Sequence, residues 1–230
     1  MKSQSTFKRC RDGIQLGVYA VINPLVHGMI RIGIMPNMVT TIGLLGNLAA
    51  AAVFVAAGLK ATPADMQYGL VTLAGALIIT FSLFDMLDGQ VARLGGMASR
   101  FGALYDSVLD RYCELLTLGG IAFYMFRTGY VIGALITFLA MVGSVMVSYV
   151  RARAEGLGIE CKVGFMQRPE RVVVTSLAAL VTGITGMCVH HEQFDPMLIL
   201  IGAMGIIAIL ANITAFARVA HCRRALQNDK

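Results

Sequence analysis

Long apolar runs separated by short polar breaks set the pattern of this chain. Stretches of roughly 18 or more apolar residues are long enough to cross a bilayer as helices. Six such helices are predicted, over 39–59, 66–87, 101–126, 130–154, 170–189 and 196–218. The connections "KATPAD", "RTGY" and "HHEQFDP" on one side are short, whereas those on the other side are longer and carry most residues capable of chemistry. Ahead of the first span, "GIQLGVYAVINPLVHGMIRIGI" is interrupted by Pro24, with Lys8, Arg9, Arg11 and Arg31 at its ends. That arrangement suits a helix lying in the membrane interface, with a partly inserted seventh helix as the competing reading. Pro36 suits the first turn of the first span and Asn37 can cap it.

The expected fold is therefore all-α and integral to the membrane: six transmembrane helices preceded by an N-terminal cytoplasmic juxtamembrane amphipathic helix. No repeat or domain boundary interrupts residues 1–230, which read as a single membrane domain. Residues 1–35 form the juxtamembrane segment, 36–218 the six-helix core and 219–230 a cytoplasmic tail.

Composition agrees. The 230 residues are 57% hydrophobic and 14% charged, with mean hydropathy +0.73; a soluble domain carries about 25% charged residues. Five scattered cysteines without a CxxC pair suggest free thiols rather than a disulfide framework. No cleavable signal peptide is evident. The net charge of +6 is distributed asymmetrically. With the N-terminus inside, nearly all Lys and Arg fall on one side and only Lys60 and Arg127 on the other. The positive-inside rule then places both termini, and the residues capable of chemistry, on the cytoplasmic face of the inner membrane. The basic residues follow that boundary, and no nucleic-acid partner is expected.

Acids are few, yet four gather around the second and third spans. Asp85 and Asp88 are followed at helical spacing by Gly89 and Ala92, while Gly102, Asp106 and Asp110 recur every four residues. Two antiparallel helices would bring these stripes face to face, the small residues leaving space beside the carboxylates. The plainer alternative has each acid reaching water and pairing with Arg93 or Arg111. Four converging carboxylates at a membrane boundary are costly, and such residues mark function. A hard divalent cation, Mg²⁺ or Mn²⁺, offsets their repulsion, and a pair of ions suits phosphoryl displacement. Glu114, one turn beyond Asp110, reads as a packing residue with a buried partner.

The spacing D-x2-D-G-x2-A-R-x8-G-x3-D-x3-D, met by Asp85, Asp88, Gly89, Ala92, Arg93, Gly102, Asp106 and Asp110, resembles the signature of the CDP-alcohol phosphotransferases. The resemblance extends along the chain, through "PNMVT" and the six spans. It implies Asp85, Asp88, Asp106 and Asp110 as metal ligands, with Asp110 also the general base. It further implies Asn37, Thr40, Asp88, Gly89, Ala92, Arg93 and Gly102 around the CDP-lipid. The reaction so implied moves a phosphatidyl group from CDP-diacylglycerol to an alcohol and releases CMP, and family members are often homodimers.

"RARAEGLG", "RPER" and "GGMASRFG" resemble the branch that uses inositol 1-phosphate (1D-myo-inositol 3-phosphate) as acceptor. Ser99, Arg100, Arg151, Arg153, Arg168 and Arg171 are the expected acceptor-phosphate contacts, since arginine forks match phosphate. A phosphorylated polyol is thus the expected acceptor and phosphatidylinositol phosphate the product. The alternatives are a phosphatidylglycerol-phosphate synthase, a free-inositol or serine transferase and, from another class, a cation or proton transporter. Transport calls for acids near mid-bilayer on interrupted helices, whereas these acids cluster at one face.

Overall fold

The computed structural model describes residues 23–62, 64–188 and 194–228. Most of the predicted juxtamembrane segment, residues 1–22, lies outside them, as do His190 and His191. The described chain is built from helices: α1 (23–31), α2 (Pro36–Lys60), α3 (Tyr68–Ser82), α4 (Phe84–Leu94), α5 (Arg100–Arg127), α6 (Val131–Glu155), α7 (Arg168–Cys188) and α8 (Met197–Asn228). Five helical stretches among the described residues are long and apolar enough to cross a membrane: Pro36–Lys60, Tyr68–Leu94, Val131–Glu155, Arg168–Cys188 and Met197–Gln227. The expected third span falls on the 28-residue α5, which is not one of those five; Asp106, Asp110, Arg111 and Glu114 make it more polar than they are.

The expected second span ends at 87, and the helical stripe read through Gly89 and Ala92 is present: helix continues to Leu94, with one interruption at Leu83 whose backbone stays helical (φ −67°, ψ −29°). It stops where Gly96 adopts φ +63° and Met97 N–H returns to the Ala92 carbonyl at 2.9 Å, a glycine-based C-cap. The expected tail after 218 is also helical, to Asn228. Nothing in "RVAHCRRALQN" breaks a helix, and Cys222 and Ala225 pack against Ala154, Ile159 and Cys161.

Contacts divide the chain into two compact units, residues 1–43 with 83–109 and residues 44–82 with 110–230. In the first, Val26 and Met29 of α1 are buried with Val39 of α2 and Leu87 and Val91 of α4, so α1 rests on both helices. In the second, α6 packs along α8, α3 along α7, and α7 on α8. Small residues permit these approaches, as expected where lipid offers no hydrophobic drive between helices. A Cβ at Gly183 would stand 2.6 Å from the Thr72 backbone nitrogen, and one at Gly75 2.8 Å from the Leu180 nitrogen. Phe54 and Tyr124 meet in the same core with ring centroids 6.4 Å apart, and the Tyr124 hydroxyl donates to the Met66 carbonyl.

Candidate active site

The first unit holds a cavity of about 200 Å³ lined by Pro36, Asn37, Thr40, Asp88, Gly89, Ala92, Met97, Ala98, Ser99, Gly102, Ala103 and Asp106. Five of the eight signature positions (Asp88, Gly89, Ala92, Gly102 and Asp106) thus face one space, together with Asn37 and Thr40. Asp88 is 4% exposed, and its Oδ2 accepts a hydrogen bond from Thr40 Oγ1 at 2.6 Å. The carboxylates of Asp106 and Asp85 are near enough to repel it. Asp85 and Arg93 stand outside the cavity lining. Arg93 folds back toward Gly89, its Nη2 lying 3.7 Å from where a Cβ would be.

Glycine at 102 keeps this cavity open. A Cβ there would meet Ser99 Oγ at 3.0 Å and Asn37 Oδ1 at 3.4 Å. Ser99, expected at the acceptor phosphate, lines the cavity and also caps α5, its Oγ accepting from Gly102 N–H at 2.9 Å. Arg100 is exposed and does not line the cavity. One contact had no signal in the sequence pattern: Thr41 Oγ1 lies 3.0 Å from the Tyr105 hydroxyl, tying α2 to the start of α5. Consecutive threonines therefore reach the carboxylate of α4 and the residue preceding Asp106.

The second unit contains Asp110 and most of the arginine candidates. Asp110 Oδ1 lies 2.9 Å from Arg168 Nη2, with both side chains partly exposed. One turn further along, Glu114 meets Arg171. Arg171 Nη2 donates to Glu114 Oε2 at 2.8 Å, its Nε to Oε1, and its Nη1 to the Met166 carbonyl at 3.1 Å. These two rungs join α5 to the first turn of α7. They border a narrow cavity of about 20 Å³, which also touches Asn47, Thr117 and Thr175. The buried partner expected for Glu114 is thus Arg171. Arg171, also expected at the acceptor phosphate, is 2% exposed, with its guanidinium bonded to Glu114 and Met166. Arg151 makes an exposed pair with Glu155, and Arg153 is exposed beside it.

Arg218 was not singled out by sequence. It is 2% exposed and donates to the Val163 and Val147 carbonyls at 2.8 and 2.7 Å, pinning the loop before α7 onto α6 and α8.

A divalent ion fits the chemistry of the cavity. Asp88 and Asp106 offer hard oxygen ligands to a common space, where mutual repulsion favours a cation between them. Among the described residues, no three His, Cys, Asp or Glu side chains are gathered closely enough to chelate an ion.

Comparison with known proteins decides the family. The model for CDP-alcohol phosphatidyltransferase matches residues 33–217. The chain belongs to that family. Phosphatidylinositol phosphate synthase of Mycobacterium marinum is 36% identical over 163 residues, covering 69% of this chain and 64% of that protein. The Streptomyces avermitilis enzyme of that name is 34% identical over 208 residues, covering 89% and 78%. Archaetidylinositol phosphate synthase of Methanothermobacter thermautotrophicus is 37% identical over 145 residues, covering 63% and 70%. Among solved structures, Mycobacterium tuberculosis phosphatidylinositol phosphate synthase with CDP-DAG bound superimposes with TM-score 0.73 at 28% identity, covering 88% and 94%. The same enzyme with manganese and citrate gives 0.74, covering 87% and 88%.

Proposed function

We propose that this member of the family transfers a phosphatidyl group from CDP-diacylglycerol to inositol 1-phosphate (1D-myo-inositol 3-phosphate), giving phosphatidylinositol phosphate and CMP. The observation that carries the reading is the single cavity lined by Asp88, Gly89, Ala92, Gly102 and Asp106. Relatives that bear the names phosphatidylinositol phosphate synthase and archaetidylinositol phosphate synthase support the acceptor.

In this reading Asp85, Asp88, Asp106 and Asp110 hold Mg²⁺ or Mn²⁺, as a pair of ions. Bound there, the metal neutralises the diphosphate and the charge that develops on the leaving CMP. Asn37, Thr40, Gly89, Ala92, Arg93 and Gly102 bind and orient the nucleotide end of the CDP-lipid. Gly102 leaves room beside Asn37, and Thr40 holds the Asp88 carboxylate at its 2.6 Å contact. Asp110 takes the proton from the acceptor hydroxyl as its oxygen attacks phosphorus. The bond from phosphorus to CMP breaks in the same displacement, without a covalent enzyme intermediate. Arg168, Arg153 and Arg151, with Ser99 and Arg100, bind the acceptor phosphate; Arg171 anchors the turn that carries Arg168.

The chain crosses the inner membrane six times in this reading, α5 being the third span, as one membrane domain with both termini and the site cytoplasmic. α1 lies in the membrane interface in this reading, and the enzyme works as a homodimer.

The test is an acceptor panel. Purified protein with Mg²⁺ and CDP-diacylglycerol should release CMP with inositol phosphate and form a lipid carrying two phosphates. Reaction with glycerol 3-phosphate but not with inositol phosphate would overturn the acceptor. No CMP with any alcohol would overturn the activity.

A further inference from the structure

The two ion pairs between α5 and α7 are built differently. Glu114 and Arg171 are 9% and 2% exposed and joined through both carboxylate oxygens, with Met166 holding the remaining arm. Asp110 and Arg168 are 16% and 22% exposed, nearer to solvent. Because Arg168 and Arg171 share the first turn of α7, the buried rung fixes that turn whatever partner Arg168 has. The outer rung can therefore exchange partners without unpacking the helices.

Resting on the reading above that Asp110 is the base, we propose that Arg168 guards it: the guanidinium holds the carboxylate until the phosphate of the acceptor takes its place. A guanidinium fork matches phosphate oxygens at least as well as carboxylate oxygens, and a phosphate dianion carries more charge. An arriving phosphorylated alcohol would draw Arg168 to itself and release Asp110 toward its hydroxyl. Water brings no phosphate, so Asp110 stays paired when water is the only nucleophile. The pair thereby biases the enzyme toward transfer and against hydrolysis. In hydrolysis a water oxygen would attack the phosphatidyl phosphorus, its proton would pass to Asp110, and the bond to CMP would break, leaving phosphatidic acid and CMP.

The experiment measures CMP release by the full-length enzyme with Mg²⁺ and CDP-diacylglycerol, with and without inositol phosphate. The variants are Arg168→Gln, Arg168→Lys, Asp110→Asn and the Asp110→Asn/Arg168→Gln double variant. A partly exposed ion pair limits the gain, so Arg168→Gln should raise acceptor-free CMP release by about fivefold. Loss of a charge-assisted phosphate contact should raise its KM for inositol phosphate by about tenfold or more. Arg168→Lys, which keeps the charge without the fork, should fall between and serves if the glutamine variant does not fold. The double variant should return to the level of Asp110→Asn. Acceptor-free release no higher than wild type in a folded Arg168 variant overturns the guard, whatever happens to transfer. Full transfer by Asp110→Asn instead overturns the base assignment, so the two failures are distinguishable.

Discussion

Removing Glu114 should unfold this protein far more readily than its replacement together with Arg171. Glu114→Ala leaves the Arg171 guanidinium 2% exposed, with the Met166 carbonyl as its remaining described partner. Breaking a buried ion pair from one side costs about 3–5 kcal/mol, because the surviving charge stays buried without compensation. Replacing both partners with apolar residues of similar volume is often neutral or stabilising. The Glu114→Met/Arg171→Met protein should therefore lie within about 1 kcal/mol of wild type, although the Met166 carbonyl loses its donor. Unfolding in mixed micelles, followed by helical circular dichroism as denaturing detergent is increased, gives the three stabilities. The reasoning fails if Glu114→Ala costs less than about 1 kcal/mol, the value of an exposed pair. It fails equally if the double variant is as unstable as the single one.

Thr40→Val removes the hydroxyl that donates to the buried Asp88 carboxylate. A hydrogen bond to a charged group is worth about 1.5–3 kcal/mol, so kcat/KM for CDP-diacylglycerol should fall by about tenfold or more, with the acceptor KM little changed in steady-state kinetics. Gly102→Ala places a methyl 3.0 Å from Ser99 Oγ and 3.4 Å from Asn37 Oδ1; it should weaken CDP-lipid binding, measured by calorimetry in detergent, while leaving the melting temperature close to wild type. Cys161 is 1% exposed, and burial together with the neighbouring Cys222 pushes its thiol above the usual range. A raised thiol pKa means less thiolate at a given pH, so maleimide should label exposed Cys188 well before Cys161 at pH 8, as peptide mass spectrometry would show.

The helices of the first unit and the residues that line its cavity were legible in the sequence for local reasons. Apolar length marks a span, glycine ends α4, and the D-x2-D-G-x2-A and G-x3-D spacings put their residues on helix stripes. Any fold that brings those stripes together encloses a space between Asp88 and Asp106, as it does here. Boundaries were less legible, since nothing in the residues after 218 distinguishes a membrane helix from its helical continuation beyond it.

The roles of the basic residues were decided only by tertiary structure. Arg168 and Arg171 belong to the same short "RPER" and carry the same charge, so local pattern treats them alike. Helix geometry turns one toward Asp110 near solvent and sinks the other against Glu114. Arg218 offers no pattern at all, because its partners are backbone carbonyls of Val147 and Val163, which every residue possesses. Spacing along one helix reveals which residues share a face. Which distant face receives them depends on how the helices pack, and that packing leaves one arginine in a partly exposed pair and sinks the other in a buried one.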